Sequence, residues 1–348
     1  MAFSTLSTYS SNTYIPKTLS PINRRHTIRC SSSPISTQFD IKTYWTALIK
    51  EIDQKLNDAV PLQHPKPIHE SMRYSLLADG AKRAPTVMCV SAFELFGGNR
   101  VAAMPTACAL EMVHAASLVH NELPCMDDAP SRRDQPSNHS KFGVNLAILT
   151  GDSLFTLGFR HIVAQTPTDI IPHDRLVRVI TEIARTFGST GMAAGRFLDL
   201  EFEPNTANFV REKKFGEMGQ CSAACGGLLA GASDDEIQRL RKYGKSVGVL
   251  YQIVDDVLEA KTDGERKKEG KSYVSIVDDV LEAKTDGERK KEGKSYVSVH
   301  GVERAMEVAE GLRSQAKKEL DGLEKYGDNI LPLHSFVDYA VDRGSIDW

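Results

Sequence analysis

The chain is 348 residues long, 41% hydrophobic and 26% charged, with a formal net charge of −3. That composition suits a globular protein; no stretch approaches the roughly 18 apolar residues of a membrane-spanning helix, and the acidic balance argues against nucleic acid or an anionic membrane as partner. Six cysteines, with no CxxC matched to histidines, exclude a disulfide framework or a zinc-finger pattern.

Residues 1–39 differ from the rest. They hold no Asp or Glu, four basic residues (Lys17, Arg24, Arg25, Arg29) and fifteen Ser or Thr. An acid-poor, hydroxyl-rich leader without a long apolar centre reads as a plastid transit peptide, with a disordered tail as the bland alternative. Its removal leaves 39 basic against 46 acidic residues, a mature charge of about −7. Residues 40–348 are expected to form one domain.

From residue 40 onward the periodicity is helical. Segment 105–120 starts at Pro105 and is almost wholly apolar or small, so it predicts a buried helix. Segment 236–260 follows the cap candidates Ser233, Asp234 and Asp235, and turns Leu240, Tyr243, Val247, Leu250, Tyr251 and Val254 inward. In 302–323 the stripe Val302, Ala305, Met306, Ala309, Leu312, Ala316, Leu320 and Leu323 opposes charged faces. Sustained strand alternation is absent. The fold class predicted is all-α.

Two acidic clusters carry the chemistry. Positions 120–133 read HNELPCMDDAPSRR, and 251–259 read YQIVDDVLE. On a helix Asp255 and Glu259 share a face, with Asp256 beside them. Such a cluster alone is more often a solvated helix face than a site. A second cluster 134 residues away, each ending a buried helix, favours a pair of jaws that clamp magnesium around a diphosphate. Magnesium is a hard cation that takes oxygen ligands shared between carboxylates and phosphates. The first jaw is weak, because it offers the amide of Asn121, then Glu122, with Asp127 further on.

Residues 253–275 recur without a change at 276–298. Repeat architectures need three or more units and tolerate drift, so two identical adjacent copies read as a recent tandem duplication or a gene-model error. The first copy continues VGVLYQ in helical register and is expected to keep the native helix position. Asp278, Asp279 and Glu282 are then redundant copies rather than a third metal site.

Taken together, SMRYSLLADGAKR at 71–83, ALEMVHAASLVHNELPCMDD at 109–128, RRDQPSNH at 132–139 and YQIVDDVLE resemble the plant plastid trans-isoprenyl diphosphate synthases of the geranylgeranyl diphosphate synthase type. The resemblance covers roughly residues 40–346 and is greatest to the small subunits of heterodimeric geranyl diphosphate synthases. It implies an isoprenoid synthase-type helical bundle around a central cavity, usually dimeric, that joins isopentenyl diphosphate to an allylic diphosphate on magnesium. It also implies metal positions at Asn121, Glu122, Asp127, Asp255, Asp256 and Glu259, degraded or vestigial here. Diphosphate contacts are implied at Lys82, Arg132, Arg133, Lys214 and Gln252. Cys221 and Cys225 match a CxxxC motif through which small subunits contact the catalytic one; packing inside the chain is the competing reading of that small-residue strip.

The chain departs from the family pattern at both substrate sites. The opening acidic pair of the first motif is Asn121 and Glu122; a second arginine in the isopentenyl diphosphate motif falls on Pro85, and a threonine after Lys214 is Phe215. The expected function is therefore a non-catalytic or weakly catalytic regulatory subunit. It would bind a catalytic plastid geranylgeranyl diphosphate synthase in the stroma, favour geranyl diphosphate, and leave magnesium mainly to the partner. An autonomous magnesium-dependent prenyltransferase and a defective product of the duplication are the alternatives.

Overall fold

The computed structural model describes residues 39–133, 135–201, 207–269 and 296–342, with the backbone alone over 262–269. The leader expected over 1–39, Phe39 apart, and most of the second repeat copy lie outside these residues.

Helices account for nearly all of it. Helix α1 (Ile41–Ala59) starts where the Asp40 carboxylate accepts the Thr43 amide, and buries Trp45, Leu48, Ile52 and Leu56 at helical spacing. Then come α2 (Lys66–Leu76), α3 (Ala84–Leu95) and α4 (Arg100–Asn121). Helix α4 begins five residues before the expected Pro105, because the Asn99 side chain accepts the Val101 amide at 3.1 Å and caps it there. Pro105 sits inside the helix, where its missing N–H forfeits one backbone bond. A two-residue hairpin, β1 (Ser131–Arg132) against β2 (Gln135–Pro136), is the single strand pairing among the described residues.

Next come α5 (Asn138–Phe142), α6 (Val144–Gln165), α7 (His173–Phe187), α8 (Met192–Glu201) and α9 (Ala207–Arg211). A π-helical turn, Glu212–Gly216, leads into α10 (Glu217–Ala230). Helix α11 (Asp234–Glu269) opens on a reciprocal capping box. Ser233 Oγ accepts the Glu236 amide, and Glu236 Oε2 accepts the Ser233 amide at 2.8 Å. The chain closes with α12 (Tyr296–His300), α13 (Val302–Asp321), a 3₁₀ segment (Glu324–Ile330) and α14 (Leu331–Asp342).

Helices α4 and α10 form the middle of the bundle. Helix α4 packs on α6 and α3, while α10 is enclosed by α11, α3 and α7. That enclosure depends on small residues. A Cβ on Gly219 would stand 2.1 Å from Gly244 O of α11, and one on Gly226 would stand 2.4 Å from Cys89 O of α3. The backbones touch, so α10 admits little beyond glycine, alanine, serine and cysteine on those faces. The inward stripe expected on α11 is largely as read, with Leu240, Tyr243, Val247, Leu250 and Val254 buried. On α13 one position departs: Met306 is exposed, off the stripe of Ala305, Ala309, Ala316 and Leu320.

Two helices, α4 and α6, are long and apolar enough by length and composition to cross a membrane, a test that the core helices of a folded bundle also pass. Helix α4 lies inside the core. Helix α6 packs one side on α4 and leaves Ile148 42%, Leu149 52% and Val163 61% exposed.

The head of the first repeat copy continues α11, as expected. Its acidic triplet sits mid-helix, not at a helix end, because the capping box starts the helix early and it runs on to Glu269. The second copy supplies the return. Tyr296 N donates to Asp256 Oδ2 at 2.7 Å, and the Arg211 guanidinium lies over the Tyr296 ring at 4.6 Å. Asp278, Asp279 and Glu282 lie outside the described residues.

A chain carrying one copy should fold. It keeps 17 residues from Asp256 to its remaining tyrosine, and a helix continued to Glu269 climbs about 20 Å. The residues then left return no more than about 14 Å, so roughly one turn of α11 must unwind. Deletion of 276–298 is expected to cost one or two turns of helix by circular dichroism and to leave the cooperative thermal transition in place. Loss of that transition would show that the second copy is required.

Candidate functional site

A cavity of about 410 Å³ runs alongside α4 and is walled by α3, α6, α8, α10, α11 and α14. Its α4 wall extends from Glu111 to Asn121, about 15 Å along the helix axis. Met88, Phe155, Phe187, Met218, Val247 and Phe336 give an apolar lining, and charged groups gather where α4 ends. The shape suits an amphiphile with an anionic head.

The first acidic cluster is built by the turn that terminates α4. Asp127 N donates to Asn121 O at 3.0 Å and Ala129 N to Glu122 O at 3.1 Å, which folds Asp127 back beside Asn121. All three expected residues, Asn121, Glu122 and Asp127, line the cavity. Both carboxylates meet arginines. Glu122, 4% exposed, accepts a short hydrogen bond from Arg132 Nε on the hairpin. Asp127 Oδ1 lies 2.5 Å from Arg196 Nη2 on α8.

In the second cluster Asp255 lines the cavity. Asp256 is buried against its own fold, accepting Gln252 Nε2 at 2.8 Å and Tyr296 N at 2.7 Å. Neither Asp256 nor the half-buried Glu259 belongs to the cavity wall. Of the expected diphosphate contacts, Lys82, Arg132, Arg133, Lys214 and Gln252 all line it. The Gln252 amide is engaged by Asp256. Lys214, in the π-helical turn, places Nζ 2.9 Å from Asp199 Oδ2.

Arg83, the neighbour of Lys82, anchors this wall. It holds a left-handed backbone (φ 54°), unfavourable for a side chain of its kind, and its guanidinium is fully engaged. Nη1 donates to Glu111 at 2.7 Å, Nε to Asp53 at 2.9 Å and Nη2 to Leu76 O at 2.9 Å. Thr86 Oγ1 adds a bond to Glu111 at 2.8 Å. Burial alone would raise the Glu111 carboxyl, yet Arg83, His114 and Thr86 hold it below its ordinary value.

Cys221 and Cys225, matched by the sequence to a partner-contact motif, lie inside the chain. Both are fully buried in the core with Cys89, their sulfurs 3.9 Å apart. The strip is small because α3 and α11 press on α10 from inside the chain. The Cys221 hydrogen bond and burial together hold the Cys225 thiol well above its ordinary value, which disfavours its thiolate.

Magnesium asks for six oxygen ligands at about 2.1 Å in near-octahedral array. A dication between Glu122 and Asp127 would meet two guanidinium groups already seated there. At about 4 Å and an effective dielectric near 20, each opposes it by on the order of 8 kcal/mol. Among the described residues no group of three or more His, Cys, Asp or Glu is placed to hold a metal ion. The first cluster, as arranged, does not fit magnesium.

Arg196 and the Arg83–Glu111 pair went unread in the sequence. The usable signal for Arg196 was a lone cation in the small and apolar run MAAGRFLDL, with Asp199 one helical turn later.

The polyprenyl synthetase family model matches residues 65–286. A chloroplastic heterodimeric geranylgeranyl pyrophosphate synthase small subunit of Arabidopsis thaliana is 55% identical over 333 residues, covering 94% of this chain and 91% of that protein. The corresponding large subunit 1 from the same plant is 36% identical, covering 88% and 80%. Among solved structures, an FPP/GFPP synthase from Zymomonas mobilis superposes with a TM-score of 0.70 at 26% identity, covering 86% of this chain and 98% of that one.

Glu111→Gln should lower stability at pH 7 by about 2 kcal/mol, since it removes the charge of a buried pair and leaves Arg83 only the half-exposed Asp53 as counter-ion; urea unfolding measures it. The folded carboxyl binds its proton less readily than the unfolded one. Its contribution is therefore whole above pH 4.5 and is lost as pH falls through the depressed value. Acidification below pH 4.5 should cost the parent chain more stability than it costs Glu111→Gln, and equal slopes would contradict the role given to Arg83.

Proposed function

The chain belongs to the polyprenyl synthetase family, and from that premise we propose that it is the small, non-catalytic or weakly catalytic subunit of a plastid heterodimeric geranyl(geranyl) diphosphate synthase. The observation that carries the reading is the pairing of Glu122 with Arg132 and Asp127 with Arg196. Members of the family generally depend on magnesium. Ionising an allylic diphosphate needs cations against the leaving group, and the carboxylates that would gather them here are committed to arginines. Turnover then falls to a catalytic partner, which binds the magnesium together with isopentenyl and allylic diphosphates. This chain shifts the product toward geranyl diphosphate by acting on the partner's elongation cavity through the shared interface.

The likeness to a protein named as a small subunit supports the pairing. So does α6. Val144, Ile148, Leu149 and Val163 fall within about 140° of arc on its outer side, and each is more than two-fifths exposed. Exposed apolar side chains on one side of a helix, with exposed Asn145, Asp152 and Thr156 among them, suit a protein interface of mixed polarity. It replaces Cys221 and Cys225 as the surface assigned to the partner. The acid-free leader and the chloroplastic relatives support the plastid stroma as the compartment.

The purified chain, given magnesium, isopentenyl diphosphate and an allylic diphosphate, should turn over at least 100-fold more slowly than a catalytic plastid geranylgeranyl diphosphate synthase, since disturbing even outer partners of a metal site costs about 10–100-fold. Comparable solo turnover would instead establish an autonomous prenyltransferase. Co-expression with that synthase should yield a co-purifying complex with more ten-carbon product. Leu149→Glu combined with Val163→Glu should abolish co-purification while leaving the circular dichroism unchanged; a complex that survives the pair would move the interface elsewhere.

A further inference from the structure

Arg196 is the cation in this cavity that no motif accounts for. It projects from α8 into the wall at 9% exposure, with Nη2 2.5 Å from Asp127 Oδ1 and Nη1 3.2 Å from Asp199 Oδ2. Lys214 Nζ reaches the same Asp199 oxygen at 2.9 Å, so two cations converge on one carboxylate. Arg196 Nε is buried and has no hydrogen-bond partner. A buried N–H left unmade costs about 1–3 kcal/mol, which a ligand oxygen would recover. A guanidinium can make that bond while its other nitrogens stay on the carboxylates, because its five donors form one rigid fork.

The wall also gathers cations from several elements. Lys82, Arg83, Arg132, Arg133, Arg196 and Lys214 line it beside an apolar surface. Their charge is balanced within the chain by the lining Glu111, Glu122, Asp127 and Asp255 and, behind Arg83, Arg196 and Lys214, by Asp53 and Asp199.

We propose that this cavity binds a prenyl diphosphate through fixed protein cations alone, with the Arg196 guanidinium standing on Asp127 where a divalent ion would otherwise stand. The proposal rests on reading the cavity as a diphosphate site, but it does not depend on the partner subunit. The head contacts arginine and lysine directly, and the tail lies among Met88, Phe155 and Phe187. Binding is then indifferent to magnesium, and the chain is a receptor for the ligand without the means to ionise it.

Isothermal titration of the full chain with geranyl S-thiolodiphosphate, a non-ionising analogue, and with inorganic diphosphate tests this. Each titration is run once with magnesium and once with excess EDTA. Both ligands should bind, the geranyl analogue more tightly, with dissociation constants that agree within twofold between the two conditions. Arg196→Gln should weaken binding in EDTA at least tenfold, with circular dichroism showing the variant still folded at the temperature of the titration. Arg196→Lys, which keeps the charge but loses the fork, should fall between, and it serves as the test if the glutamine variant does not fold. Binding that needs magnesium, binding of neither ligand, binding of the geranyl analogue without inorganic diphosphate, or an Arg196→Gln affinity equal to the parent would each overturn the proposal. Failure to form a complex with the catalytic synthase, together with magnesium-independent binding, would sink the subunit reading and spare this one. A stable complex whose small subunit binds only with magnesium would do the reverse.

Discussion

A carboxylate that accepts a guanidinium at ion-pair distance in a poorly solvated wall is no longer an open ligand. The guanidinium cannot lose its charge, and displacing it means finding both groups new partners. That condition holds at Glu122 with Arg132 and at Asp127 with Arg196, and the rest of the site is arranged by it. The turn after α4 brings Asp127 back over Asn121, the short hairpin carries Arg132 to Glu122, and α8 delivers Arg196 from across the cavity. Three separate elements converge on one acidic cluster, each bringing or holding a charge.

The cavity exists because α10 is thin. Glycine, alanine, serine and cysteine let it lie in backbone contact with α11 and α3, which draws those helices together and lines up Val247, Tyr251 and Asp255 along the wall. The two cysteines follow from that packing rather than from an outside partner. Exposed apolar residues occur on α6 instead, on the side away from α4.

What the sequence disclosed divides along physical lines. Helical periodicity and the cap candidate Ser233 before α11 are local signals, and both proved legible, though the return bond from Glu236 went unread. The start of α4 was less so, since Asn99 is a weaker signal to the eye than Pro105 yet supplies the capping oxygen. Residue types in the two acidic motifs located the cavity, with Asn121, Glu122, Asp127 and Asp255 all in its wall. Partner choice was not legible. Nothing local pairs Arg196 with Asp127, 69 positions away, or turns Asp256 toward a tyrosine amide that belongs to another helix. The CxxxC strip was ambiguous in principle, because small residues at i and i+4 serve a neighbour in the same chain as well as one in another.

The central claim is that arginine, not a divalent ion, neutralises the first acidic cluster. Manganese has magnesium's preference for oxygen ligands and an anomalous signal, so diffraction from crystals of the chain soaked in manganese addresses it directly. The account predicts Arg132 seated on Glu122, Arg196 seated on Asp127, and no anomalous peak between the two carboxylates. A peak there, with the guanidinium groups swung aside, would contradict it.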